Sequence, residues 1–165
     1  MDERIYRAYV RLLEKELVPA MGCTEPIAVA YAAAVAVREL CALPDVVDIS
    51  VSANIIKNVK SVVVPNTGGL CGLAAAAAAG IIAGAPSREL LVISEVSDEE
   101  RARISEFLKT ATFTVHESDS GALFDISITL SAGGHKAGCQ RQLSCPGFAG
   151  RPVTGSGIIR TGGMG

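Results

Sequence analysis

Residues 61–85 read SVVVPNTGGLCGLAAAAAAGIIAGA. The β-branched run Val62 to Val64 suits a short strand from Ser61 to Val64. Pro65-Asn66-Thr67-Gly68-Gly69 is a turn by residue choice: Pro presets φ, Asn tolerates the left-handed region and Gly supplies positive φ. From Leu70 to Ala83 the chain is Ala-rich and apolar on every face, as a helix buried in the middle of a fold should be. Gly84-Ala85-Pro86 ends it. The apolar run Leu70–Ala85 is 16 residues with three Gly, short of the roughly 20 residues a membrane span needs.

A helix made of Ala and Gly needs a close-packed partner, and one precedes it. Thr24 is a good N-cap and Pro26 is tolerated in a first turn, so a second Ala-rich helix is expected to run to about Leu40. Before that, Ile5, Tyr9, Leu12, Leu13 and Leu17 recur at helical spacing, which predicts a helix from about Asp2 to Val18, stopped by Pro19. Val46 to Ile56 alternates and is β-branched, as a strand should be. Leu90 to Ile93 reads as a strand or as a continuation of helix. Ser97-Asp98-Glu99-Glu100 opens a helix that reaches about Lys109. Thr112 to His116 and Leu123 to Leu130 read as two strands, expected to form a hairpin around Ser118-Asp119-Ser120-Gly121. The fold class is therefore α+β, with Ala-rich buried helices packed on a small, mostly antiparallel sheet.

The chain's 165 residues are 49% hydrophobic, 19% charged and 4% aromatic, without Trp. This composition excludes disorder throughout and requires a core of Ala, Val, Ile and Leu. The net charge of −2 argues against a nucleic-acid partner. It hides an asymmetry. Residues 133–165 hold four bases (Lys136, Arg141, Arg151, Arg160), no acid and 10 of the 17 Gly. Two segments follow: an α+β portion over 1–132 and a Gly-rich, acid-free tail over 133–165 that is expected to be irregular. The charged, amphipathic N-terminus MDERIYRAYVRLLEKEL is unlike a secretory signal. Five Cys, at 23, 41, 71, 139 and 145, form no CxxC pair; an odd count without a leader points to a reducing cytoplasm rather than a disulfide framework.

Gly22-Cys23-Thr24-Glu25-Pro26 sets a Cys directly before a helix N-terminus, where the dipole and free N–H groups favour a thiolate that ligates a metal or attacks an electrophile. Equally, Cys23 is a small buried residue, Thr24 a cap and Glu25 a dipole partner. The Asn66–Gly69 turn, at a helix start, is a ready anion site for a carboxylate; a tight turn that needs Gly for its φ reads the same way. It matches no nucleotide-binding motif. Asn54, Lys57, Asn58 and Lys60 form a polar cluster at what reads as an exposed strand end; Lys57 and Lys60 are possible Schiff-base lysines there. His116 and His135 have no ligand-spaced partners.

The segments PAMGCTEPIAVAYAAAVA (19–36), NIIKNVKSVVVPNTGGLCGLAAAAAAG (54–80) and FDISITLSAGGH (124–135) together resemble the N-terminal part of the serine dehydratase alpha-chain-like family, which includes bacterial and archaeal L-cysteine desulfidases. The resemblance implies an oxygen-sensitive [4Fe-4S] lyase of cysteine catabolism without pyridoxal phosphate. It would eliminate H₂S from L-cysteine, or water from L-serine, giving pyruvate and ammonia. Cys23 matches a presumed cluster ligand of that family. The other two family ligands lie in C-terminal Gly-rich motifs with no counterpart here: Cys139 and Cys145 lack their flanking residues, and Cys41 and Cys71 match no ligand. Thr24, Asn58, Asn66, Thr67, Gly68 and Gly69 are the substrate-binding candidates, and Glu25 and Lys57 the candidates for the base.

Family chains are much longer, and the match covers roughly residues 5–135. The abrupt change of composition there leads to the expectation of a truncated, inactive fragment with an out-of-frame tail, which alone would not retain a cluster. A C-terminal subunit or a second copy is the expected protein partner, with no membrane partner. Two other readings stay open: a non-catalytic subunit or small-molecule-binding α+β module, and a pyridoxal-phosphate lyase.

Overall fold

The sheet is built around β1 (Val46–Val51), because this strand is buried from one end to the other of its inner face: Val47, Ile49 and Val51 are inaccessible to solvent. It pairs in parallel with β2 (Thr112–Glu117) on one side and antiparallel with β3 (Phe124–Ala132) on the other. Beyond β3 lie β4 (His135–Leu143) and β5 (Gly157–Thr161), both antiparallel, in the order β2-β1-β3-β4-β5. The computed structural model describes residues 2–17, 22–143 and 157–161.

The helical layer covers the face formed by Val47, Ile49, Val51, Ile126, Ile128 and Leu130. Its centre is the pair α2 (Thr24–Leu40) and α4 (Gly72–Ala83), with α5 (Asp98–Thr110) against α4 and the short α3 (Ala53–Val59) after β1. The two Ala-rich helices approach so closely that a Cβ placed on Gly80 would stand 2.0 Å from the Ala30 carbonyl oxygen. Backbone-to-backbone packing of this kind explains why a chain so poor in aromatics still closes a core. Among the described residues no helix is long and apolar enough to cross a membrane.

Several expectations change. The strand expected over Val46 to Ile56 stops at Val51. Ser52 N–H still donates to the Asp125 carbonyl at 2.9 Å, but Ser52 is then the N-cap of α3, whose buried Ile55 and Val59 sit four residues apart on one helical face. Ser61 to Val64 is not a strand: it makes a single bridge, Val63 to Cys71, that closes the turn on itself. Leu90 to Ile93 is neither strand nor α-helix; a 3₁₀ segment, Pro86–Leu91, reaches into it. Thr112 and Leu123 do not begin a hairpin. β1 occupies the place between β2 and β3, with both of its edges paired.

Within the segment expected to be irregular, β4 pairs with β3 over nine residues through Gly133-Gly134. Both glycines have positive φ (53° and 86°), the requirement of a two-residue type I′ turn. The fold class is the α+β class that the composition and patterning indicate, on a mostly antiparallel sheet whose one parallel pairing is β1 with β2.

The first helix, α1 (Glu3–Glu16), is capped by Asp2, whose Oδ1 accepts from the Arg4 N–H at 2.9 Å. Every described side chain on it is exposed except Val10, which is half-buried. The predicted end at Val18 lies outside the described residues.

Candidate functional site

Two turns meet at the start of α2. A Cβ placed on Gly22 would stand 3.6 Å from Pro65 Cγ, so the GCTEP segment lies against the start of the PNTGG turn. Cys23, not Thr24, is the N-cap of α2, and it makes no side-chain cap bond. The reason is that its thiol is engaged elsewhere: Cys23 Sγ donates to Glu25 Oε2 at 2.9 Å. The other carboxylate oxygen of Glu25 accepts from Asn58 Nδ2 on α3 at 3.2 Å. A Cys–Glu–Asn chain thus ties the α2 N-terminus to α3, with Cys23 and Asn58 exposed and Glu25 half-buried.

This geometry sets the protonation states. The hydrogen bond to Glu25 pushes the Cys23 thiol above its ordinary value, and burial and the Glu25 charge add to it; backbone N–H groups of Glu25 and Thr24 pull the other way and lose. Glu25 is held below the usual carboxylate range by the thiol, by its own backbone N–H and by Asn58. The resting pair is thiol and carboxylate, not the thiolate that a helix N-terminus alone would favour.

The PNTGG turn divides into structural and open halves. Asn66, at φ 60°, donates its side-chain amide to the carbonyls of Ile93 (2.9 Å) and Ser94 (3.1 Å), and its own carbonyl accepts from Arg101 Nε at 3.0 Å. Thr67 is buried, and its hydroxyl donates to the Val64 carbonyl at 2.7 Å. These two side chains hold the turn in shape. Gly68 and Gly69 have positive φ (75° and 97°) and open space where a Cβ would be. Among the described residues neither of their N–H groups donates to a backbone carbonyl. Thr24 is the first residue of α2 and is exposed. Lys57 is exposed on α3 and, among the described residues, has no ion-pair partner; it is adjacent to Asn58 in sequence and therefore turned about 100° away from it.

Two further polar groups are Cys71 and Asp125. Cys71, the N-cap of α4, closes the same turn with its thiol 3.5 Å from the Gly69 carbonyl oxygen; its place at a helix start was the one signal. Asp125, at 1% exposure, accepts from the Ser118 hydroxyl on Oδ2, while Oδ1 has no hydrogen-bond partner among the described residues. Its position at the head of an otherwise ordinary strand carried no sequence signal. Cys41 caps the far end of α2 and donates to the Arg38 carbonyl. His116 pairs with Asp48 across β1 and β2 at 3.4 Å. Cys145 lies outside the described residues.

The donor set does not fit a cluster held by three thiolates. Cys23 is bonded to a carboxylate, and among the described residues no group of three or more His, Cys, Asp and Glu side chains could hold a metal ion.

No family model and no solved structure matches the chain. Curated relatives do. A UPF0597 protein of Desulfitobacterium hafniense is 54% identical over 129 residues, which is 78% of this chain and 30% of that protein. A UPF0597 protein of Treponema denticola is 43% identical over 129 residues (78% and 30%), and one of Fusobacterium nucleatum 44% over 133 residues (81% and 31%). The chain is therefore homologous to the UPF0597 family, and it spans about 30% of the length of these relatives.

Proposed function

We propose, from that homology, that this chain is the Cys23-bearing portion of a UPF0597-type protein that carries out β-elimination on a small amino acid, L-cysteine or L-serine. On its own it binds such a molecule without turning it over. One observation supports this above the rest: the Gly22–Pro65 contact sets the Cys23–Glu25–Asn58 chain beside the open Gly68–Gly69 turn.

In this reading the free N–H groups of Gly68 and Gly69 hold the substrate carboxylate, with Thr24 and Asn58 at the edge of the site. Asn66 and Thr67 act through the shape of the turn. β-Elimination removes the Cα proton; the C–H electron pair forms the double bond as sulfide or hydroxide departs, and water converts the enamine to pyruvate and ammonia. Glu25 suits the base better than Lys57, because its carboxylate is ionised and oriented by Asn58. Further metal ligands would come from the portion of the relatives that this chain does not span, and no step is assigned to a cluster here.

The test combines binding and turnover. L-cysteine or L-serine titrated into the chain should shift the Gly68 and Gly69 amide resonances. After anaerobic incubation with iron and sulfide, L-cysteine should release no sulfide. Sulfide release by the chain alone, or unmoved glycine resonances, would refute the reading. The open turn also supports a non-catalytic small-molecule-binding module. For that, Cys23→Ser and Glu25→Gln should leave binding unchanged, and no combination with the missing portion should yield turnover.

A further inference from the structure

On α1, Ile5, Tyr6, Tyr9, Leu12 and Leu13 fall on one side of the helix, spaced by three, four, seven and eight residues, and Leu17 continues the stripe. They are 49–59% exposed along the helix, and Leu17 is 70% exposed. A contiguous apolar face of this kind marks an interaction site. A lone 14-residue helix is also marginal in water, so its stability asks for a cover.

We propose that this face of α1 docks the polypeptide that corresponds to the part of the UPF0597 relatives this chain does not span. The inference rests on the reading of the chain as one portion of such a protein. Three observations select this occupant. The matched region is only about 30% of the relatives' length, so a large body of chain has a place to fill against it. α1 leads into the candidate site: five residues lie between Leu17 and Cys23, a reach of at most ~22 Å. Whatever covers the Leu17 end of α1 is therefore tethered close to Cys23, around which, among the described residues, no group of three metal-ligating side chains stands. Third, charge disfavours a lipid surface. Residues 2–17 carry four acids and four bases, and Arg7 is already paired with Glu3 at 2.9 Å, whereas interfacial helices depend on a basic polar face.

The experiment mixes the 165-residue chain with the part of the Desulfitobacterium hafniense relative outside the matched residues and follows association by analytical ultracentrifugation. A one-to-one complex is expected. Leu12→Asp should weaken it about 30-fold or more, as loss of a central apolar anchor does. Arg11→Ala, on the opposite face, should change it less than about twofold, as substitutions away from an interface's anchors do. The substituted side chains are exposed, so circular dichroism should report an intact fold for each variant. Four results would overturn the proposal: no complex, a complex indifferent to Leu12→Asp, an α1-dependent homodimer of the chain alone, or α1-dependent sedimentation with anionic phosphatidylserine vesicles. A complex that forms as expected but eliminates nothing from L-cysteine or L-serine refutes the functional proposal and leaves the docking surface standing.

Discussion

Replacing Gly80 by Ala sets two effects of opposite sign against each other. Intrinsic helix propensity favours Ala over Gly in a helix interior by about 1 kcal/mol. The structure opposes it: the new methyl would lie 2.0 Å from the Ala30 carbonyl oxygen, 2.7 Å from its carbonyl carbon and 2.8 Å from its Cα. An ordinary contact needs about 3.5 Å, so α2 and α4 must part by about 1.5 Å, and a gap of 0.5–1 Å already forfeits roughly a quarter to a half of the dispersion contact on the surfaces it opens. The obstacle is backbone rather than a side-chain tip, so the overpacking cost sits at the upper end of its usual range, about 3 kcal/mol. Subtracting the propensity gain leaves a net loss of about 2 kcal/mol. With a urea m-value of roughly 2 kcal/mol/M, the midpoint should fall by about 1 M. Urea unfolding followed by far-UV circular dichroism measures this. Ala102→Gly, at an exposed position of α5, calibrates propensity in the same protein and should cost about 1 kcal/mol. If Gly80→Ala instead raises the midpoint, the two helices do not meet at Ala30 and the account of this aromatic-poor core is wrong.

Two predictions concern the charged groups. Glu25→Gln removes the carboxylate that holds the Cys23 proton, so the pH midpoint of Cys23 alkylation by iodoacetamide should move down; a midpoint that rises or stays would refute the assigned pairing. Ser97 and Glu100 form a reciprocal capping box on α5, the Ser97 Oγ accepting from the Glu100 N–H and Glu100 Oε2 accepting from the Ser97 N–H at 2.8 Å. Ser97→Ala should cost about 1 kcal/mol near pH 7. Glu100's folded pKa is depressed by those bonds, so its contribution is full above the unfolded carboxylate pKa and is lost as pH falls through the folded value. The Ser97→Ala penalty should therefore shrink in urea melts near pH 3, where carboxylates protonate, and a penalty independent of pH would contradict the box.

What the sequence made legible was the part set by local periodicity and by small residues. α2 and α4 are visible because a helix apolar on every face has nowhere to go but the interior. The α5 start is visible because the N-cap Ser97 is followed by acids in the first turn. Strand partners were not visible. Whether Thr112–Glu117 pairs with its neighbour in sequence or across β1 depends on which strand has two edges to satisfy, and no window of local sequence contains that. β4 escaped for a related reason: its nine residues lack alternation, and the Gly133-Gly134 turn that launches it looks in composition like the flexible tail around it.

The candidate site shows the same division at finer scale. Proximity of the two motif segments was not legible, since Gly22 and Pro65 are distant in sequence and brought together by the packing of α2 on α4 and α3. The residue types at Cys23 and Glu25 were legible, but their mutual effect was misjudged. A Cys at a helix N-terminus suggests a thiolate because the helix amides attract negative charge. Those amides do act on Cys23, in the expected direction. They are outweighed because Glu25, in the first turn for the same dipole reason, reaches back to the thiol at 2.9 Å and takes the anionic role itself. One positive helix end supports one anion well, and the carboxylate with the lower intrinsic pKa claims it. Forming a thiolate at Cys23 therefore requires loss of the proton now donated to Glu25, whose carboxylate stays held by Asn58.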